Sequence, residues 1–594
     1  MRRWAALVLF TIVLVLRLWA ATRLSGSDFV VPDSGDMRFY YDWAGRILRG
    51  IPQEGAFYGL PGYPYLLALL LAFPSSIPFQ VLLVQCVLDA GTATLLFGLA
   101  RRFRPDRAGV LIGILSAGLW AFHTSAQAYA LSLMPSTWGT FLLWALAAGM
   151  LCIPGTRPLS WLALGVATGL SALLISNLLM LGLFGLGCLF LWCEKVPAPS
   201  PPVRLARTLR ITSALALFAG IALGTAPVWG FHRFVAREPV FLSAHAGLNF
   251  FIGNNPLANG YPRTPPGMRA SQRGMLRDSI TLAENEVGRP LSRAEISNYW
   301  EQKARNFIRL DRPAWLRLQA LKLFNFWNQF RYDDLGIVAL LSDHRILLPG
   351  PSWGAIAVAG LPGLILGVAL VPASRPLAAV VLLHMASLLP VFVTERYRML
   401  ALPGLCLFAA WFAVTTVLQL RSGAWRFPAL AAAGLLVTAP LILWPCREPR
   451  LLALEPYNSG VHALARGDWV RAEPKLVRAE ALVPDNEEVQ FALGNLRLDQ
   501  GDSLEARSRY RRALELNPRH EGAWNNLGVI ALREKRWELA EYFCRASLEI
   551  DADDAKTLML LASSLDGQGR TAETPALRQR ALELDPRAEN LTLP

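Results

Sequence analysis

Val31-Pro-Asp-Ser-Gly-Asp-Met-Arg-Phe-Tyr-Tyr-Asp-Trp-Ala-Gly45 follows directly on the first hydrophobic segment of the chain. Two carboxylates, Asp33 and Asp36, stand where the chain leaves that segment. A third, Asp42, lies further on, where a helical reading leaves it in solvent. Acids at a membrane surface are cheap to solvate, so a polar loop or a helix cap accounts for them when they are taken alone. The next stretch, Ala56-Phe-Tyr-Gly-Leu-Pro-Gly-Tyr-Pro-Tyr65, is richer in aromatic residues and proline than a connector requires. With Tyr40, its Tyr58, Tyr63 and Tyr65 form a candidate binding platform beside the acids.

The surroundings make this stretch an outer loop of a membrane protein. Of 594 residues, 53% are hydrophobic and only 17% charged, against about a quarter charged in soluble domains. Mean hydropathy is +0.34. Several apolar runs approach or exceed the ~20 residues that cross a bilayer. The net charge of +14 does not point to nucleic acid. Much of the excess sits in short loops between apolar runs: Arg101, Arg102, Arg104 and Arg107, then Lys195, Arg204, Arg207 and Arg210, then Arg421 and Arg426. That is the positive-inside pattern of cytoplasmic loops. The seven cysteines show no CxxC spacing, so neither a zinc site nor a disulfide framework is indicated. Only six of the 58 basic residues are lysine, a composition that points to a GC-rich bacterial genome.

Met1-Arg-Arg leads into an apolar run with no small-x-small cleavage site before the acidic loop, which reads as an uncleaved first helix. Eleven spans are expected, at about 4–23, 79–100, 108–127, 134–153, 159–175, 177–193, 211–231, 352–371, 376–393, 399–418 and 427–446. Outer loops are expected at about 24–78, with an interfacial helix over Tyr63–Phe73, and at 232–350. Arg17 falls in the outer third of the first span, where it snorkels to the interface or contacts a lipid phosphate. In the large loop, Ser292-Arg-Ala-Glu295 is a capping box. The helix it opens carries Ile296, Trp300, Ala304 and Phe307 on one face. Phe324-Asn-Phe-Trp-Asn-Gln-Phe330 suits either the headgroup level or a core. His384, inside a span, reads as a hydrogen-bonded packing residue.

From about residue 453 the chain turns charged and helical, with a repeat of 34 residues. Gly460, Gly494, Gly528 and Ala562 form one series; Ala472, Ala506, Ala540 and Thr574 a second; Ala479, Ala513, Ser547 and Ala581 a third; Pro484, Pro518, Ala552 and Pro586 a fourth. Small residues let paired helices cross closely, and proline ends the second helix of a pair. With Trp524-Asn-Asn-Leu-Gly528 as its best segment, the stretch 453–588 resembles four tetratricopeptide repeats. The resemblance implies a solenoid whose concave face takes a protein or peptide partner.

The region 1–450 resembles the GT-C superfamily of membrane glycosyltransferases, and within it family 39, the protein O-mannosyltransferase and aminoarabinose-transferase branch. Five pieces carry the likeness: Asp33-Ser-Gly-Asp36 with Tyr40, Trp43 and Ala44; Phe57-Tyr58 with Pro61-Gly-Tyr-Pro-Tyr65; Pro227 with Arg233; Phe250-Phe-Ile-Gly-Asn-Asn-Pro256; and Arg396-Tyr-Arg398 before Pro403. The resemblance implies an inverting transfer of a sugar from a polyprenyl-phosphate donor in the membrane to an acceptor on its outer face. Asp36, four residues before Tyr40, aligns with the family's catalytic Asp and is the expected general base, with Asp33 as the second carboxylate. Met37 stands where relatives carry Glu. Arg396 and Arg398, then Arg233 and Arg17, are the candidates for the donor phosphate. The turn His123–Met134 has no acid where many relatives have one, and Ile175-Ser-Asn177 lacks a common Arg. The sequence therefore does not support a divalent metal, and it names no cofactor.

The expected fold is all-α, a polytopic helix bundle of about 11 spans followed by a tetratricopeptide solenoid. The expected location is a bacterial cytoplasmic membrane, as part of cell-envelope or protein glycosylation. The odd span count puts the repeats on the outer side with the acidic loop. Two other functions compete. One is an O-antigen-ligase-like glycan transferase working from the large late loop, which shows few paired acids. The other is a membrane-anchored repeat scaffold whose transferase domain has degenerated, a reading that Met37 favours.

Overall fold

The computed structural model describes the chain except for residues 1, 25–28, 32–34, 74–77, 193–202, 270–271, 586–587 and 589–594. Every regular element among the described residues is helical. The chain divides into two compact units, Met1–Pro445 and Cys446–Pro594.

Among the described residues of the first unit, five helices are long and apolar enough to cross a membrane: Trp4–Thr22, Pro78–Arg102, Arg204–Val235, Trp353–Leu370 and Glu395–Arg421. A sixth span results if Arg107–Phe122 and Thr124–Ala130, bent by 63° at His123, count as one. The expected eleven are not reached. Several apolar runs do not form helices of spanning length. Pro158–Ala172 has 15 residues and Arg375–Leu388 has 14, and ~15 residues rise only about 22 Å against a hydrocarbon core of about 30 Å. At the turn expected near 176 the break is wider than one residue: Ile175 is extended at φ −143° and Ser176–Met180 is a 3-10 turn, which leaves the α-helices on either side, Pro158–Ala172 and Leu181–Phe190, short. The helices that do reach length expose apolar side chains. On the first, Leu7, Val8, Ile12 and Val15 are more than half exposed, while Val13, Ala20 and Ala21 are buried.

Backbone-to-backbone packing joins Pro158–Ala172 to the helix Val203–Gly230. A Cβ on Gly165 would lie 2.2 Å from the Leu217 carbonyl oxygen, and one on Gly220 2.3 Å from that of Leu162. Gly169 and Gly224 repeat the contact one turn on. This is the small-xxx-small packing that lets apolar helices approach when lipid offers no hydrophobic drive for association. The helix Val203–Gly230 carries Pro227 inside it and ends in a π-turn, Phe231–Val235.

The helices of the two outer loops follow local sequence rules. Gly62–Leu71 is a short helix with Tyr63, Leu67 and Ala68 buried. The capping box closes on both sides: Ser292 Oγ accepts from Glu295 N at 3.3 Å, and Glu295 Oε2 accepts from Ser292 N at 2.9 Å. Helix Arg293–Leu310 then buries Ala294, Ile296, Trp300 and Ala304. Asp311 caps the next helix, Arg312–Trp327, through Ala314 N. The aromatic cluster at its end packs inward: Phe326 is fully buried, with the Trp353 ring edge-on at 5.6 Å.

The second unit is four helix pairs: Pro449–Leu464 with Trp469–Leu482, Glu487–Asp499 with Ser503–Leu516, Glu521–Arg533 with Trp537–Ile550, and Ala555–Gly567 with Thr574–Leu584. The small-residue series lie at the crossings. Ala472, Ala506, Ala540, Ala479, Ala513, Ser547 and Ala581 are all fully buried. A Cβ on Gly494 would lie 2.5 Å from the Tyr510 ring, and one on Gly460 2.8 Å from Leu476. Pro484, Pro518 and Ala552 stand in the turns that follow second helices; Pro586 lies outside the described residues. Ion pairs recur with the repeat, including Arg512–Asp485 at 2.6 Å and Arg580–Asp553 at 2.9 Å.

Candidate functional site

The site is built on the turn before Leu402–Arg421. Thr394 starts the short helix Glu395–Arg398 by accepting a hydrogen bond from Tyr397 N. Glu395, almost fully buried, accepts from Arg398 Nε at 2.9 Å and Nη2 at 2.6 Å, and from Ser125 Oγ at 2.5 Å. Arg398 donates further to the carbonyls of Asn328 at 2.7 Å and Phe330 at 2.9 Å and lies 4.6 Å from the Trp353 ring. At 1% exposure, its planar fork is fully engaged inside the protein. Arg398 fixes the turn. His384 Nε2 meets the Tyr397 carbonyl at 2.8 Å and supports the same turn from behind.

Arg396 leaves the turn in another direction. Its Nη1 donates to Asp36 Oδ2 at 2.6 Å, and its Nη2 pairs with Asp334 Oδ2 at 3.0 Å. All three side chains are 13–14% exposed. Asp36 comes from the first turn of helix Gly35–Leu48, which opens just after Gly35 in the left-handed region at φ 82°. Asp334 comes from the far end of the large loop, in the turn Tyr332-Asp-Asp-Leu-Gly336. That turn closes by Gly336 N donating to the Asp333 carbonyl, and Gly336 sits at φ 65°. Asp333 Oδ2 caps the following helix Ile337–Asp343 through Val338 N at 2.8 Å. Glu395 N donates to the Tyr332 carbonyl, which ties the acidic turn to the arginine turn. Burial pushes the Asp334 carboxyl up to about 6, with Arg396 opposing the rise, and pushes Asp333 up to about 7. The result is one arginine between two carboxylates, beside Tyr40, whose phenol is pushed up by burial and by Asp36.

The other sequence candidates go elsewhere. Asp33 lies outside the described residues. Arg17 is 1% exposed and pairs with Asp89, Nε to Oδ2 at 2.8 Å, while its Nη1 donates to the Ala121 carbonyl at 2.8 Å; it neither snorkels nor joins the Asp36 cluster. Arg233 is exposed in the π-turn. Tyr63 is buried and donates to Gln85 Oε1 at 3.2 Å, so it belongs to the core, with Tyr40 edge-on at 5.3 Å. Tyr65 is half exposed, its ring 6.3 Å from Phe57. Tyr58 stands edge-on to His245 at 4.4 Å. Asp42 pairs with Arg38 one turn back at the surface, at 2.8 Å. Asp334, the second carboxylate on Arg396, was passed over in the sequence. Its signal was present: an Asp-Asp pair closed by glycine within two residues.

Gly253-Asn-Asn-Pro256 proves to be a tie-point. Asn254 donates to the Phe250 and Pro390 carbonyls, and its Oδ1 faces Trp315 Nε1 at 3.2 Å and Lys322 Nζ at 3.3 Å. Lys322 is fully buried, donates to the Leu389 carbonyl at 2.8 Å, and is pushed down to about 7 by burial. Among the described residues no group of three or more His, Cys, Asp or Glu is placed to hold a metal ion.

Residues 491–555 match the family described as Tetratricopeptide repeat. A search of the curated proteins finds no match. Among solved structures, a MamA double mutant is 25% identical over 23% of this chain and 76% of its own, at a TM-score of 0.21. YrrB, described as a tetratricopeptide protein with an unusual peptide-binding site, is 17% identical over 30% of this chain and 88% of its own, at 0.21. The Cut9–Hcn1 hetero-tetramer is 12% identical over 85% of this chain and 92% of its own, at 0.25. The match to tetratricopeptide repeats thus falls within the second unit.

Proposed function

We propose that the chain joins a protein-docking module to a membrane glycosyltransferase. The docking half has the firmer support: the family match over 491–555 and four helix pairs whose small residues sit at the crossings. Such solenoids present a concave face to a protein or peptide segment.

The transferase half rests on one observation, Arg396 held between Asp36 and Asp334. Transfer from a polyprenyl-phosphate sugar forms a bond between an acceptor oxygen and the anomeric carbon and breaks the bond from that carbon to the phosphate oxygen. The acceptor hydroxyl loses its proton, which Asp36 takes as general base. The departing phosphate gathers charge, and a guanidinium donor stabilises it. Among the arginines proposed for this task, Arg396 is the one paired with the proposed base. The incoming phosphate takes one of its two carboxylate-bound nitrogens, and Asp334 keeps the other. We place this chemistry on the outer face of a bacterial cytoplasmic membrane, an assignment supported by the basic short loops on the opposite side of the apolar helices. The entry of Asp334 from the large late loop is a feature that a ligase-like transferase would share.

A second reading, a membrane-anchored scaffold without catalysis, is favoured by the family match and by Met37 beside Asp36. Asp36→Asn separates the two. In membranes supplied with undecaprenyl-phosphate hexoses, transfer to envelope acceptors is expected to fall by a factor of order 10²–10⁴, the usual contribution of a general base. Full transfer by the variant would remove the catalytic reading and leave the scaffold.

A further inference from the structure

We propose that Tyr58 and His245 form the subsite that recognises the hydroxyl groups of the transferred sugar ring. The inference rests on the transferase reading and names a ligand class for part of the same site.

The loop carrying Tyr58 has no regular structure of its own, yet it is anchored at Ala56, Phe57 and Tyr58. Glu238, nearly buried, accepts from Ala56 N at 3.0 Å and Ala294 N at 2.8 Å, and Arg293 Nη1 donates to the Ala56 carbonyl at 2.5 Å. Phe57 N donates to His232 Nε2 at 3.0 Å. The Phe57 and Tyr58 carbonyls accept from Ala244 N at 2.8 Å and His245 N at 2.9 Å. This last pair of bonds brings the Tyr58 and His245 side chains together, with ring centroids 4.4 Å apart at 74°. A connector needs no such clamp. A binding group that must hold one position does.

The two side chains then present polar atoms that the protein does not use. Tyr58 Oη and His245 Nδ1 are shut off from solvent and have no partner among the described residues. Leaving a buried polar atom unpaired is costly, so such atoms in a clamped loop are suited to a ligand. In a neutral imidazole Nδ1 donates or accepts according to the tautomer, and a hydroxyl meets either role. Burial pushes His245 down to about 4, so the ring is neutral at pH 7. The Phe57 ring, next to Tyr58, lies 5.9 Å from the Trp43 ring of helix Gly35–Leu48, which sets the loop against the element that carries the proposed base. A neutral imidazole nitrogen and a phenol that both donates and accepts match hydroxyl groups, and the aromatic faces match the C–H face of a pyranose. Neither suits a phosphate, which calls for a cation. The ligand class is therefore the uncharged ring of the donor and not its lipid phosphate.

The test uses the full-length chain in detergent micelles. Native mass spectrometry reports binding of undecaprenyl phosphate and of its glucosyl, mannosyl and galactosyl forms to wild type, Tyr58→Phe and His245→Gln. Wild type is expected to prefer at least one glycosylated lipid over the bare lipid. Each variant should lose about tenfold of that preference, the scale of one neutral hydrogen bond, with binding of bare undecaprenyl phosphate unchanged. Tyr58→Phe removes a single oxygen, so the test stands even if His245→Gln does not fold. Equal weakening of bare and glycosylated lipids, or no change in preference, overturns the subsite while the transferase reading survives. If wild type binds none of the lipids, the transferase reading falls and the subsite with it.

Discussion

The buried pair Arg17–Asp89 provides the sharpest check on how the first unit is held together. Both side chains are 1% exposed and meet at 2.8 Å. Arg17→Met strands the Asp89 carboxylate, and Asp89→Leu strands the guanidinium with only the Ala121 carbonyl for company. Breaking a buried pair from one side costs about 3–5 kcal/mol, whereas replacing both partners with apolar residues of similar volume is close to neutral. Unfolding entropy of about 2.1 cal/mol/K per residue, applied to the unit Met1–Pro445, gives roughly 0.9 kcal/mol/K. Each single variant should therefore lower the thermal midpoint in detergent by about 3–5 °C, and the double variant Arg17→Met/Asp89→Leu should return to within about 1 °C of wild type. The assay is the thermal midpoint of the purified full-length chain, paired with sugar transfer in membranes. A double variant no better than the worse single would refute the coupling. If Arg17→Met abolished transfer with an unchanged midpoint, Arg17 would be a phosphate ligand and the structural assignment would be wrong.

Two further outcomes follow from named contacts. Gly220→Ala should lower the midpoint, because its Cβ would lie 2.3 Å from the Leu162 carbonyl oxygen and must push two helices apart, an overpacking cost of about 1–3 kcal/mol; Gly118→Ala, with nothing within 4 Å, should leave the midpoint unchanged or raise it, and equal effects would sink the close-packing account. Asp334 carries a carboxyl raised to about 6, so its protonated form stabilises the fold below its ordinary range and that contribution is lost as pH rises through about 6. The midpoint of wild type should fall over this window while transfer rises as the ionised carboxylate takes Arg396; Asp334→Asn should flatten the transfer profile and lessen the fall in midpoint, with Asp333, raised to about 7, carrying the rest.

Legibility in the sequence tracked how local the determining interactions are. The repeats were readable because each helix pair buries the same small positions every 34 residues, as the fully buried Ala472, Ala506 and Ala540 illustrate. The capping box at Ser292 was readable for the same reason: three residues decide it. The span count was not. Hydropathy over a window reports apolarity, and both Ser136–Cys152 and Pro158–Ala172 are apolar. Ser136–Cys152 starts at Pro135 and ends at Ile153, which turns extended, and Pro158–Ala172 gives way to the extended Ile175 and a 3-10 turn. The Gly165, Gly169, Gly220 and Gly224 spacing was present in the sequence and marks a close contact between helices, yet it acquires meaning only when two segments about 55 residues apart are set side by side.

The site divides along the same line. Asp36 and Arg396 were both singled out from sequence, but their pairing spans 360 residues and no periodicity announces it. Arg396 and Arg398 look equivalent in Arg396-Tyr-Arg398, and one intervening residue sends them opposite ways. Glu395 sits three residues before Arg398 on the same helical face and captures it, which leaves Arg396 as the arginine that meets Asp36. A carboxylate three residues before one of two clustered arginines is thus a signal for which of them the fold consumes. Applied to Asp333 and Asp334, the same reasoning works from the other end: Asp333 is consumed by the cap on Ile337–Asp343, so its neighbour is the acid that meets Arg396.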